Sequence, residues 1–200
     1  MNGLINRAID RFARDTYGDV LWEEVVDRLG LDETAFEPLM PCDPSITERI
    51  VTALAGRLAR TPDELLEDLG TYLVSHPRSE AVRRLLRFGG VDFAEFLDSL
   101  EELPDRARLA MPDLDLPPIA LYLHGSGVCR VELGISARAG MRFGPVLVGV
   151  LRAMADDYGA LVLLDYRGSD ATREIIEVRL LDDSFARGRS FDLGAGRAAG

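Results

Sequence analysis

The sequence predicts an α+β fold in which a helical N-terminal part packs with a four-stranded antiparallel sheet. Three observations predict it. Apolar residues recur at helical spacing in about six segments of the first 117 residues. After Pro118 the texture changes to four short apolar runs, paired around the polar turns "GSG" and "GSDAT". One helical segment separates the two pairs, so the second half reads strand–strand–helix–strand–strand. With 200 residues, one domain is expected over 1–181, helical to about 117 and sheet-forming over 118–181. Residues 182–200, "DDSFARGRSFDLGAGRAAG", read as a flexible tail.

The elements follow in order. "GLINRAIDRFARDTYG" sets Leu4, Ile5, Ala8, Ile9, Phe12 and Ala13 on one stripe, and Gly18 suits its end. "VLWEEVVDRLG" repeats the pattern and Gly30 closes it. After a loop containing Pro38, Pro41 and Pro44, Ser45 and Glu48 form a capping-box pattern ahead of Ile50, Val51, Leu54 and Leu58. Thr61-Pro62-Asp63-Glu64 is a stronger start, with an N-cap Thr, Pro at the first helical position and Glu at the third. That helix runs until His76-Pro77. "SEAVRRLLRFGG" is a short helix ended by glycines. Asp92 caps the next, whose apolar face carries Phe93, Phe96, Leu97, Leu100 and Leu103. "IALYLH" and "CRVELGI" form a hairpin, "GPVLVGVLRAMADDYG" a helix, and "ALVLLDYR" and "REIIEVRLL" a second pair of strands.

Composition removes several functions. The net charge of −11 argues against nucleic acid as a partner, because phosphate contacts need a basic surface. Every basic residue other than the two histidines is Arg, which removes Schiff-base lysine chemistry. There is no run of 18 apolar residues and so no membrane span. "MNGLINRAIDRF" does not read as a signal peptide, and Cys42 and Cys129 make no disulfide framework, so a cytoplasmic location is expected. "HGSG" lacks the strand–turn–helix setting of a nucleophile elbow, and "GSGVCR" lacks the ending of a phosphate-binding loop. The carboxylates of "DELLED" read as a solvated helix face. No catalytic constellation is present, and the expectation is that the chain is not an enzyme.

The order and spacing of these segments resemble the H-NOX family of haem-based nitric oxide and oxygen sensor domains. "MNGLINRAI...YGDVLWEEV" resembles the family's first helix pair. "ELLEDLGTYLV", "LLRFGG" and "FAEFLDSLEEL" resemble its central helices, and "MPDLDLPP" its Pro-containing loop. The likeness covers residues 1–181 and implies haem b as the cofactor. It also implies two motifs. The proximal iron ligand of the family is a His, and ungapped alignment of "FLDSLEEL" puts that position at Pro104. Proline offers no nitrogen lone pair to a metal. Read from the residues alone, Pro104 is a helix terminator; read through the resemblance, it stands in a vacated ligand site. The second motif, Y-x-S-x-R, holds the haem propionates and corresponds here to Gly134, Ser136 and Arg138. Arg and Ser supply donors to a carboxylate, but Gly stands for Tyr. Arg142 is an alternative anion partner, and a solvated Arg138 is the plainer reading. Ile5 and Pro117 match positions that press on the macrocycle in the family.

Other candidates are weaker. His76 could serve as a replacement iron ligand, although a surface His at a helix end is the simpler reading. His124 sits at the hairpin turn and is expected to face solvent. Cys42 and Cys129 read as small apolar residues. Two His and two Cys scattered in this way form no zinc pattern.

The expected function is a sensory or regulatory domain with a degenerate haem site. It would bind haem weakly or take another apolar molecule with an anionic end, held by Ser136 and Arg138. No output domain follows in the sequence, so the signal is expected to pass to a separate protein of kinase or cyclase type. The alternatives are a haem gas sensor using His76, and an interaction module whose core is filled by side chains.

Overall fold

The computed structural model describes residues 2–37, 43–124, 127–135 and 141–182. The chain starts with α1 (Asn2–Tyr17) and α2 (Asp19–Leu29), joined at Gly18, whose φ of +91° lies in the left-handed region that favours glycine. Trp22, at 1% exposure, packs edge-on against Phe36 of a short 3-10 turn. A buried polar tie fixes this corner: Asn6 Nδ2 donates to the Ala35 carbonyl (2.9 Å), and Thr47 Oγ1 donates to Asn6 Oδ1 (2.7 Å). Such groups are tolerated inside because they are paired.

α3 (Pro44–Arg57) starts earlier than its S-x-x-E pattern predicts. Asp43 is the N-cap, its carboxylate accepting from Ser45 N at 2.9 Å, and Pro44 fills the first turn, where no donor is needed. α4 (Pro62–Ser75) carries the expected capping box. Thr61 Oγ1 accepts from Glu64 N (3.2 Å), and Glu64 Oε2 accepts from Thr61 N (2.8 Å). α5 (Glu80–Arg87) and α6 (Phe93–Asp98) follow, the latter capped by Asp92, which accepts from Glu95 N at 2.9 Å.

The segment around Pro104 differs from the expected helix stop. α6 passes into a 3-10 turn, Ser99–Glu102, and the chain then continues as α7 (Leu103–Ala110), with Pro104 in its first turn. The ring costs no hydrogen bond there, because the first amides of a helix have no partner within it. Pro104 therefore begins a helix rather than ending one.

The sheet comprises β1 (Ile119–Leu123), β2 (Val128–Gly134), β3 (Leu161–Ser169) and β4 (Arg173–Asp182), all antiparallel, in the order β1-β2-β4-β3. Alternation turns Cys129, Val131 and Leu133 inward from β2, and Ile176 and Val178 inward from β4. β1 is an edge strand. Its Leu121 N–H donates to Glu101 Oε1 at 2.8 Å, so a side chain from the 3-10 turn satisfies that edge group.

α8 (Gly144–Tyr158) packs on β3 and β4 and, on another side, against α4. Two glycines set the α4–α8 spacing. A Cβ on Gly149 would overlap the Glu67 carbonyl oxygen, and one on Gly70 would overlap that of Val146. The first turn of α8 has no side-chain cap of its own. Glu174 supplies one from β4. Its buried carboxylate accepts from Phe143 N (2.9 Å), Gly144 N (3.0 Å) and Tyr166 Oη (2.6 Å). An anion suits the positive end of a helix. Burial and the adjacent Glu174 charge push the Tyr166 phenol well above its ordinary range. Among the described residues, no helix is long and apolar enough to cross a membrane.

Candidate functional site

A cavity of about 410 Å³ lies between the helical part and the sheet. Small-molecule sites span roughly 300–1,000 Å³. α1 contributes Leu4, Ile5 and Ala8 to its wall, α4 gives Leu69 and Leu73, and α5 gives Val82, Leu85 and Leu86. Leu103 and Ala107, one turn apart, come from α7. Pro117 and Ile119 close it below, and Val146, Leu147 and Val150 of α8 complete it.

The polar side chains on this wall are Arg11, Tyr72, Arg78 and Ser79. They sit together, on the second half of α1, the end of α4 and the turn after it. Leu4, Ala8, Arg11 and Asp15 lie at i, i+4, i+7 and i+11, one stripe that passes from apolar to charged along α1. Asp15 anchors the polar end. It accepts from Tyr72 Oη (2.7 Å) and from Arg78 Nη1 (2.8 Å), while His76 Nε2 stands 3.9 Å away. Burial first, then the bond to Asp15, pushes the Tyr72 phenol up to about 12.

The residues singled out in the sequence fall into three groups. Ile5 and Pro117 are buried and both line the cavity. Pro104 is buried but is not itself on the wall, which α7 meets through Leu103 and Ala107. His76 lies off the wall too. Its ring stacks on Tyr72 with centroids 4.6 Å apart, and its Nδ1 accepts from Arg78 N at 3.3 Å. Ser136 and Arg138 lie outside the described residues, as does Cys42. Gly134 ends β2. Arg142 is already paired with Asp63. His124 is exposed at the end of the hairpin. Cys129 is buried on the core face of β2, and burial pushes its thiol up to about 11, which leaves little thiolate at neutral pH.

Arg11, Tyr72 and Arg78 were not identified from the sequence. Arg11 alone left a signal, since it continues the Leu4–Ala8 row of α1. Tyr72 and Arg78 reach the site only through tertiary packing.

The cavity is thus an apolar chamber with a charged rim, set between helices and an antiparallel sheet. The chain belongs to the haem-NO-binding family, which matches residues 2–163. Its fold is that of H-NOX domains. An Fe(II) unliganded H-NOX protein mutant from K. algicida superposes with a TM-score of 0.75 at 16% identity, covering 92% of this chain and 98% of that one. The Cs H-NOX mutant with 4-cyano-L-phenylalanine at site 5 gives 0.72 at 16% identity, covering 92% and 99%. The soluble guanylate cyclase gcy-31 of Caenorhabditis elegans is 26% identical over 117 residues, which are 58% of this chain and 17% of the cyclase.

The family implies haem, and the donor set tests that. No His or Cys stands among the described residues of the wall. Nor do the described residues include a group of three or more His, Cys, Asp and Glu that could hold a free metal ion. Tyr72 is on the wall, and a tyrosinate can ligate haem iron, but its proton is held by the bond to Asp15. The described residues do not fit axial ligation of iron.

Proposed function

We propose that this chain is a sensory ligand-binding domain in which the family's cavity is kept and its iron-ligating position, Pro104, is vacated. It takes an apolar molecule with an anionic end, holds haem weakly at most, and passes the resulting change to a signalling output of kinase or cyclase type. The observation that carries this reading is a cavity of about 410 Å³ whose described wall has apolar faces, a cationic rim and no imidazole or thiol. The likeness to a guanylate cyclase supports the class of output. The open cavity speaks against an interaction module with a filled core. The stacking of His76 on Tyr72, off the wall, speaks against a replacement iron ligand.

Absorption spectra and native mass spectra of protein purified from haem-sufficient cells provide the test. The expected result is substoichiometric or absent haem, and Pro104→His alone does not change it. Stoichiometric haem with a five-coordinate histidine spectrum in the parent protein would overturn the proposal. Its loss in His76→Ala would then identify the ligand.

A further inference from the structure

We infer that the ligand is a carboxylic acid with one anionic head and an apolar tail, and that Arg11 is the head's partner. This rests on the cavity being a ligand site, as proposed above.

The first observation is the grouping of polar atoms. A porphyrin presents two carboxylates, whereas the polar end of this chamber carries two guanidiniums, Arg11 and Arg78, against one carboxylate, Asp15. Asp15 is already engaged by Arg78 Nη1 and Tyr72 Oη. Arg11 has no ion pair with any described residue. Arg11 is exposed at this rim and open to a single anion, in a chain whose net charge is −11. The other charged groups near this rim come from the packed elements. His76 faces Asp15, whereas Asp68 of α4 is bonded to Arg60 and Tyr17.

The second observation is direction. The α1 row Leu4–Ala8–Arg11 runs from the apolar interior to the guanidinium, so a tail lying along Leu4, Ile5 and Ala8 delivers its head to Arg11. A guanidinium is charged at any working pH and offers a planar fork of donors to a carboxylate. The remaining wall holds no polar group among the described residues to bind a second head.

The test uses the full-length protein, stripped of bound lipid, titrated with dodecanoic acid and with dodecan-1-ol while displacing an uncharged fluorophore. The parent is expected to prefer the acid. Arg11→Gln should weaken acid binding roughly tenfold to a hundredfold and leave alcohol binding unchanged, and Arg11→Lys should keep most of the affinity. Each methylene added to a chain that still fits should tighten both ligands about fourfold. Circular dichroism of the variants checks that α1 is intact. Equal acid affinity in Arg11→Gln and parent, or loss of acid preference only in Arg138→Ala, would overturn the inference while alcohol binding left the cavity reading standing. If neither probe bound the parent, both readings would fall.

Discussion

Glu174 shows how much one side chain can decide. Its exposure is 2%, yet it carries three hydrogen bonds, from two backbone amides and a phenol. A buried carboxylate is costly unless it is this well supplied with donors. Replacing it by Ala leaves those three donors without an acceptor, each at a cost of about 1–3 kcal/mol, but also removes a buried charge, and the balance should lower stability by roughly 2–4 kcal/mol. Glu174→Gln keeps one acceptor oxygen but turns an NH2 toward a backbone amide, and should lose about half as much. Urea unfolding measures both, and an unchanged midpoint would mean that water takes over the cap. The residue was within reach of sequence reasoning: in "REIIEVRLL", alternation places Glu174 on the same face as Ile176 and Val178. What was not within reach was the partner, since nothing local ties β4 to the start of α8.

At the scale of elements, regular periodicity was readable and exceptions to it were not. The four strands and the long helices lie close to where alternation and 3.6-residue spacing put them. α7 escapes the sequence because Pro104, with no N-cap signal before it, reads from the residues alone as a helix stop, although the first turn of a helix accepts proline. The α4–α8 crossing was likewise invisible, because it depends on two glycines on different helices, Gly70 and Gly149, meeting the facing backbone. A methyl group there forces the helices apart. Gly149→Ala is expected to cost about 1–3 kcal/mol, as overpacked sites do. Because Val146, Leu147 and Val150 of the same helix line the cavity, the substitution should also weaken ligand uptake. Thermal unfolding with and without dodecanoic acid reads both effects.

For the whole molecule, the sequence disclosed the architecture. Ile5 and Pro117 could be placed on the wall of the chamber because the resemblance assigns them. Its charged rim could not, since Arg11, Tyr72 and Arg78 come together only after α1 and α4 have packed. The sheet has a consequence of another kind. Among the described residues β1 has no strand neighbour on one side of its backbone, and such a side is a template on which a second copy can polymerise. Glu101 occupies the Leu121 amide at the middle of that side and presents a negative charge to any incoming carbonyl row. Glu101→Ala should therefore turn a dispersed protein into one that self-associates with rising concentration, visible by light scattering. A variant that scatters no more than the parent would show that the side is guarded by something other than this carboxylate.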